Sequence, residues 1–168
     1  MSRTLTFRKA RENEIESIYS LYVARCRWMD DEGIDHWNHS DYLEAYDEAY
    51  YLSEQRRGRL YVLEDSETGH PVSAAVLFEE DDNWEGQPDK PAFYIHNLVA
   101  DRAVKGSGRY MLSEIEKLAA AVGKAALRLD CSIDNEPINR YYESLGFMKN
   151  GGEVNHPFYH GILREKTI

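Results

Sequence analysis

The sequence has few of the residues that mark several protein classes. It has two cysteines, Cys26 and Cys131, far apart in the chain. Together with an N-terminus lacking a long apolar stretch, this argues against a disulfide framework and predicts free thiols in a cytoplasmic protein. Apolar runs are short, such as Ala74-Ala75-Val76-Leu77-Phe78. None approaches the roughly 18–20 residues that cross a bilayer, so no membrane partner is expected. Basic residues are scarce, with 20 Lys and Arg against 30 Asp and Glu, giving a net charge of −10. Phosphate contacts need clustered cations, so nucleic acid is not an expected partner. The acidic field favours encounter with a cationic small molecule or peptide. No Ser/Gly/Pro-rich linker, repeat or low-complexity tract divides the chain. At 168 residues and 42% apolar composition, a single globular domain over 1–168 is expected.

The periodicity then sets out the elements. Leu5 and Phe7 alternate with polar neighbours, as in a short strand. Ile15, Ile18, Leu21, Tyr22 and Arg25 follow helical spacing, and Gly33 closes that helix. A second helix is predicted from Asp41 to Gln55, with Ser40 as N-cap. Strands are predicted at 60–63 and 72–79, joined by a hairpin turn at 65–69, followed by an acidic loop to Pro91. A strand over 92–100 precedes an amphipathic helix marked by Met111, Ile115, Leu118, Ala119 and Val122, closed by Gly123. Leu127, Leu129 and Cys131 alternate with Arg128 and Asp130 on the next strand. A short helix presents Ile138, Tyr141, Tyr142 and Leu145. Two terminal strands are predicted near 147–153 and 158–164. An antiparallel meander running into a β-α-β crossover, flanked by helices, predicts a mixed-sheet α/β domain.

Two segments carry chemistry. Lys105-Gly106-Ser107-Gly108-Arg109 lies between a strand and a helix. Its glycines permit close backbone approach, and the first-turn N–H groups, with the helix dipole behind them, form an anion cradle to which Lys105 and Arg109 add charge. It is neither a P-loop nor a dinucleotide fingerprint, since Met111 occupies the third glycine position of the latter. The second segment runs from Asn135 to Phe147. Asn135 can cap the helix and Pro137 suits its first turn. Tyr142 lies about two turns after Asn135, so both fall on roughly one face.

Together these segments resemble the core of the GNAT superfamily of acetyl-CoA-dependent N-acyltransferases. Ile95-His96-Asn97-Leu98-Val99-Ala100 is similar to its central strand and Gly106-Ser107-Gly108 to the end of its glycine loop. Asn135 to Phe147 matches its N-x-x-x-x-x-x-Y-x-x-x-G-F helix. The loop departs from the motif in having Ala103 where Gln or Arg is usual, with Arg102 one step earlier, and Val104 at an often-glycine position. The resemblance implies acetyl-CoA as co-substrate. Leu98, Val99 and Ala100 would hold the pantetheine arm and acyl carbonyl through their backbone. Lys105, Gly106, Ser107, Gly108 and Arg109 would receive the pyrophosphate, and Asn135 would contact the cofactor arm. Tyr142 would be the general acid toward the thioester sulfur, with Tyr141 a packing residue. A base must also take the amine's proton. Histidine titrates near neutrality, which makes His96 one candidate, with Glu79 another.

No metal site is expected. His36 and His39, like His156 and His160, lack a completing cluster, and Asp81 to Gly86 reads as a solvated loop rather than a calcium loop. Tyr46, Tyr50 and Tyr51 read as helix packing, Cys131 as a small core residue. Trp28 and Trp37 would either wall an acceptor pocket or pack the N-terminal helices. The expected function is acetyl transfer to a small-molecule or peptide amine, cationic by the charge argument, with a homodimer among the assemblies allowed. The alternative is a non-catalytic acyl-CoA sensor or interaction module on the same fold.

Overall fold

The computed structural model describes residues 4–157 and 159–168. Residues 1–3, where the N-terminal reading begins, and Phe158, where the last predicted strand begins, lie outside the described residues. The elements run β1 (Leu5–Lys9), α1 (Ile15–Asp31), α2 (Tyr42–Ala45), α3 (Glu48–Arg56), β2 (Leu60–Asp65), β3 (Pro71–Phe78), β4 (Ala92–Ala100), α4 (Ser107–Ala121), β5 (Ala126–Ser132), α5 (Glu136–Ser144), β6 (Met148–His156) and β7 (Tyr159–Thr167). One seven-stranded sheet has the order β1-β2-β3-β4-β5-β7-β6. β4 and β5 are parallel, joined through α4, whereas β1–β2, β2–β3, β5–β7 and β6–β7 are antiparallel. This is the expected mixed α/β sheet with a central crossover.

The chain forms two compact units, one of Met1–Val76 with Asn97–Glu114 and one of Leu77–His96 with Ile115–Ile168. In the first, Ile15, Ile18, Tyr22, Cys26 and Met29 form the buried stripe of α1, at the helical spacing of the sequence. The single helix expected from Asp41 to Gln55 is instead two. Asp47 adopts an extended backbone, and its side chain accepts from the Tyr50 N–H at 2.9 Å, capping α3. A short carboxylate that bonds nearby backbone competes with helix continuation, so Asp47, not Ser40, sets the start of the longer helix.

In the second unit, Trp84, Ala92, Tyr94, Ala126, Val154 and Leu163 form a core cluster. The loop before β4 is therefore not simply solvated, because Trp84 is buried in that cluster. Both faces of β5 are covered: Leu127, Leu129 and Cys131 are buried, and so is Arg128. Arg128 lies over the Trp84 ring at 4.5 Å and donates to Glu165 Oε2 (2.7 Å), Tyr94 Oη (2.9 Å) and the Pro88 carbonyl (2.6 Å). Arg164 is fully buried as well. It donates to the Phe147 carbonyl, Asn139 Oδ1 and Glu143 Oε1, tying α5 to β7. Buried guanidinium groups with several fixed acceptors are how a charge is kept inside a fold. Val122 does not join the buried stripe of α4. The helix ends at Ala121, so Val122 is exposed and Leu112 fills the stripe. The terminal hairpin turns near Pro157, a few residues later than expected.

Candidate active site

In the first unit, the end of β4 carries the one non-glycine left-handed residue found among the described residues, Asn97, at φ +51°. Three helices hold it. Tyr22 Oη donates to the Asn97 carbonyl at 2.6 Å, Tyr50 Oη to Oδ1 at 2.9 Å, and Asn97 Nδ2 donates to Tyr42 Oη at 2.8 Å. Burial pushes the Tyr22, Tyr42 and Tyr50 hydroxyls up, so they remain protonated. Tyr51, expected to be packing, is fully buried and stacks on Tyr22 at 4.5 Å. Tyr50 does more than pack, since it holds Asn97.

The next three residues are the predicted acyl-arm segment. Leu98 and Ala100 are half-buried, and Val99 is buried. The Val99 carbonyl accepts from Ser73 Oγ at 2.7 Å and the Ala100 carbonyl from Arg25 Nη2 at 2.7 Å, which fixes this stretch of strand. Asp101 then turns the chain. Its Oδ1 accepts from the Ala103 N–H at 2.8 Å, and its carbonyl accepts from Val104. Val104 is buried, which anchors the loop from inside. Gly106 sits at φ +83°, and a Cβ there would meet nothing within 4 Å. Backbone conformation, rather than crowding, therefore requires glycine.

The Ser107 N–H bonds the Val104 carbonyl at 3.1 Å, and the Tyr110 N–H closes the first turn onto Gly106 at 2.9 Å. Ser107 is thus spent as a donor, while among the described residues no acceptor meets the Gly108 or Arg109 N–H. Two open amides at the start of a 15-residue helix, beside exposed Lys105 and Arg109, form a donor set that fits a pyrophosphate. Arg102, beside the position where the motif has Gln or Arg, lies over the Trp28 ring at 3.8 Å, with Arg25 at 5.2 Å. Trp37 stacks on Tyr42 at 4.3 Å. Both tryptophans therefore engage neighbours from the N-terminal helices and the loop.

In the second unit, His96 shares the face of Tyr94, as strand alternation predicts. Its Nε2 is 2.7 Å from Asp81 Oδ2, and its ring meets Phe78 edge-on at 5.0 Å. The Asp81 side chain is only 9% exposed, so this acid is not simply part of a solvated loop. Glu79 is taken by Lys124 at 2.6 Å. The β4–β5 ladder pairs Ala92, Phe93 and Tyr94 with Ala126, Leu127 and Arg128.

Asn135 caps α5 as expected. Its Oδ1 accepts from the Ile138 N–H at 3.2 Å, and Pro137 lies in the first turn. Tyr142 is buried, its ring edge-on to Phe147 at 5.8 Å, whereas Tyr141 is only half-buried. The Tyr142 hydroxyl makes no hydrogen bond to any described residue. Burial, then nearby Cys131, Tyr141 and Asp130, push it up, so it stays a proton donor. Cys131 is also pushed up, chiefly by burial, which keeps it a thiol. The sequence offered no sign of Asp81, of the tyrosines around Asn97, or of Asn139, whose side chain holds Arg164 and the start of α5.

Residues 15–147 match the Acetyltransferase (GNAT) family. The uncharacterized N-acetyltransferase YesJ of Bacillus subtilis (strain 168) is 26% identical over 159 residues, covering 92% of this chain and 86% of that protein. Among solved structures, a GNAT-family acetyltransferase from Listeria monocytogenes 4b F2365 superposes with TM-score 0.78 at 22% identity, covering 99% of this chain and all of the other. The PaiA N-acetyltransferase from Thermoplasma acidophilum, solved in complex with coenzyme A, gives TM-score 0.72 at 18% identity, with 98% and 99% covered. The glycine loop, the capped Asn/Tyr helix and these likenesses agree: the chain belongs to the Acetyltransferase (GNAT) family, enzymes that use acetyl-CoA as co-substrate.

Proposed function

We propose that the chain, acting as a single 168-residue N-acyltransferase domain, moves an acetyl group from acetyl-CoA to a primary amine by direct attack. Acetyl-CoA supplies an activated acetyl group as a thioester. In the first unit, the Gly108 and Arg109 amides with Lys105 and Arg109 hold the pyrophosphate, and the Gly106 turn presents them. The backbone of Leu98, Val99 and Ala100 holds the arm and the acyl carbonyl. In the second unit, the Asn135 amide group, whose oxygen already caps α5, contacts the arm through its nitrogen.

His96 accepts the amine's proton, and Asp81 at 2.7 Å stabilises the imidazolium. The amine nitrogen then bonds the acetyl carbon, the C–S bond breaks with its electron pair on sulfur, Tyr142 gives that sulfur a proton, and the second proton that nitrogen sheds as the amide forms restores the Tyr142 hydroxyl. The observation that carries this reading is the Tyr142 hydroxyl, held protonated by burial and bonded to no described residue, seven positions after a capping Asn135.

The experiment is acetyl-CoA titration by calorimetry, then thiol release with a panel of amines. Binding with amine-dependent thiol release is the expected result. Binding without release from any amine would instead support a non-catalytic acyl-CoA sensor on this fold.

A further inference from the structure

A second polar pair in the same unit is not used by the chemistry above. Tyr159 on β7 donates its hydroxyl to Asp130 Oδ2 on β5 at 2.6 Å. The sequence makes room for this bond. A Cβ on Gly161 would lie 2.6 Å from Tyr159 Cε1 and 2.8 Å from Tyr159 Oη. Gly161 has no left-handed backbone, so space and not conformation requires glycine there. A glycine inside a strand weakens it and marks a close approach. Here the Tyr159 ring lies back across the missing side chain and reaches Asp130.

Three features make Asp130 more than a sheet contact. Its Oδ1 has no hydrogen-bond partner among the described residues, and no Lys, Arg or His pairs with it. Oδ1 is not among the buried unpartnered atoms, so this half-buried carboxylate presents an accessible acceptor to a cation with N–H donors. Asp130 also shares the face of His96. Arg128 and Tyr94 are register partners bonded on that face, and Asp130 and His96 are the next residues along it. Finally, the Asp130 charge is among the causes that push the Tyr142 hydroxyl up, after burial, Cys131 and Tyr141.

We propose that Asp130 binds a second, non-reacting cationic group of the acceptor, and that Tyr159, laid over Gly161, is the positioning residue that aims its open oxygen. A carboxylate on the reacting nitrogen would hold the proton that must leave, so Asp130 serves a second ammonium. The acceptor class is therefore an amine with two cationic centres. This rests on the amine-acetyltransfer reading above.

The test compares 1,4-diaminobutane with butylamine, and an alanyl dipeptide amide as a third acceptor, at saturating acetyl-CoA. The wild-type enzyme is expected to favour the diamine over butylamine by roughly tenfold or more in kcat/KM. Asp130→Asn should abolish that preference through KM for the diamine, with acetyl-CoA affinity unaltered. Tyr159→Phe should lose part of it, and should fold, since the ring stays. Gly161→Ala should lose at least as much, because the ring has nowhere to lie. An unchanged preference in Asp130→Asn, or no diamine preference in the wild type, overturns the assignment. Turnover of the dipeptide amide alone overturns it too, while leaving the acetyltransfer reading standing. Thiol release with none of the three, despite acetyl-CoA binding, counts against both.

Discussion

Two polar networks, one in each unit, are held by opposite means, although the first unit also carries a charged cluster of Arg8, Glu14 and Glu64. In the first, Asn97 is held by neutral partners, three tyrosine hydroxyls that burial keeps protonated. In the second, the same task falls to charge. Arg128 meets Glu165, Arg164 meets Glu143, and His96 meets Asp81. The neutral network fixes a left-handed stretch of backbone. The charged network fixes side chains, and what it offers is proton donors and acceptors. Hydroxyl and amide networks ignore pH, whereas carboxylate networks do not.

Substitutions at three positions sharpen that contrast. The largest stability effect is expected at Glu165. Burial pushes its carboxyl up, but bonds from Lys90 and Arg128 outweigh this and hold it below the ordinary value of 4.5. Glu165→Gln leaves the buried Arg128 guanidinium without its counter-charge, at a cost of about 3 kcal/mol near pH 7. A depressed carboxylate stabilises the fold above its unfolded pKa and loses that contribution as pH falls through the folded value. The difference between wild type and Glu165→Gln, measured by urea unfolding, should therefore be full at neutral pH and shrink below about pH 4.5.

Asn97→Ala comes next. It removes two side-chain hydrogen bonds and leaves alanine at a left-handed φ, for a loss of about 2 kcal/mol. Because the partners are neutral, this loss should be equal at pH 5 and pH 8. A pH-dependent loss would erase the contrast between the units. Asn97→Gly tolerates the backbone and should cost less than alanine.

The smallest effect is expected on binding. Gly108→Asp puts a carboxylate beside the two open amides of α4, and acetyl-CoA affinity by calorimetry should fall roughly tenfold, or ~1.4 kcal/mol. An unchanged affinity in a folded variant would remove the cradle from the account.

What the sequence made legible follows from the range of the interactions. β4 was predicted at its observed bounds because an aromatic and β-branched run is framed by Pro91 and a turn. The Asn135 cap is helix-local and legible from its residue type and Pro137, whereas spacing turned both Tyr141 and Tyr142 inward, and only the resemblance chose Tyr142. The break at Asp47 was missed because Leu43, Tyr46 and Tyr50 keep helical spacing across it, and one capping carboxylate overrides that pattern. The pairs His96–Asp81, Asn97–Tyr50 and Asp130–Tyr159 join residues 15, 47 and 29 positions apart. Periodicity holds no information about such partners. Gly161 was the one local trace of the last pair, a glycine inside a strand with no turn to justify it.

The central claim is that Tyr142 protonates the departing sulfur. It is tested most directly by measuring kcat for Tyr142→Phe and Tyr141→Phe side by side, at saturating acetyl-CoA with the best amine found. Tyr142→Phe keeps the ring that meets Phe147 at 5.8 Å and so should fold. It removes only the donor, so kcat should fall roughly 10²-fold while acetyl-CoA affinity holds. Tyr141→Phe should stay within a few-fold of wild type. Full turnover in Tyr142→Phe where chemistry limits the rate, or the larger loss falling on Tyr141→Phe, would contradict the account.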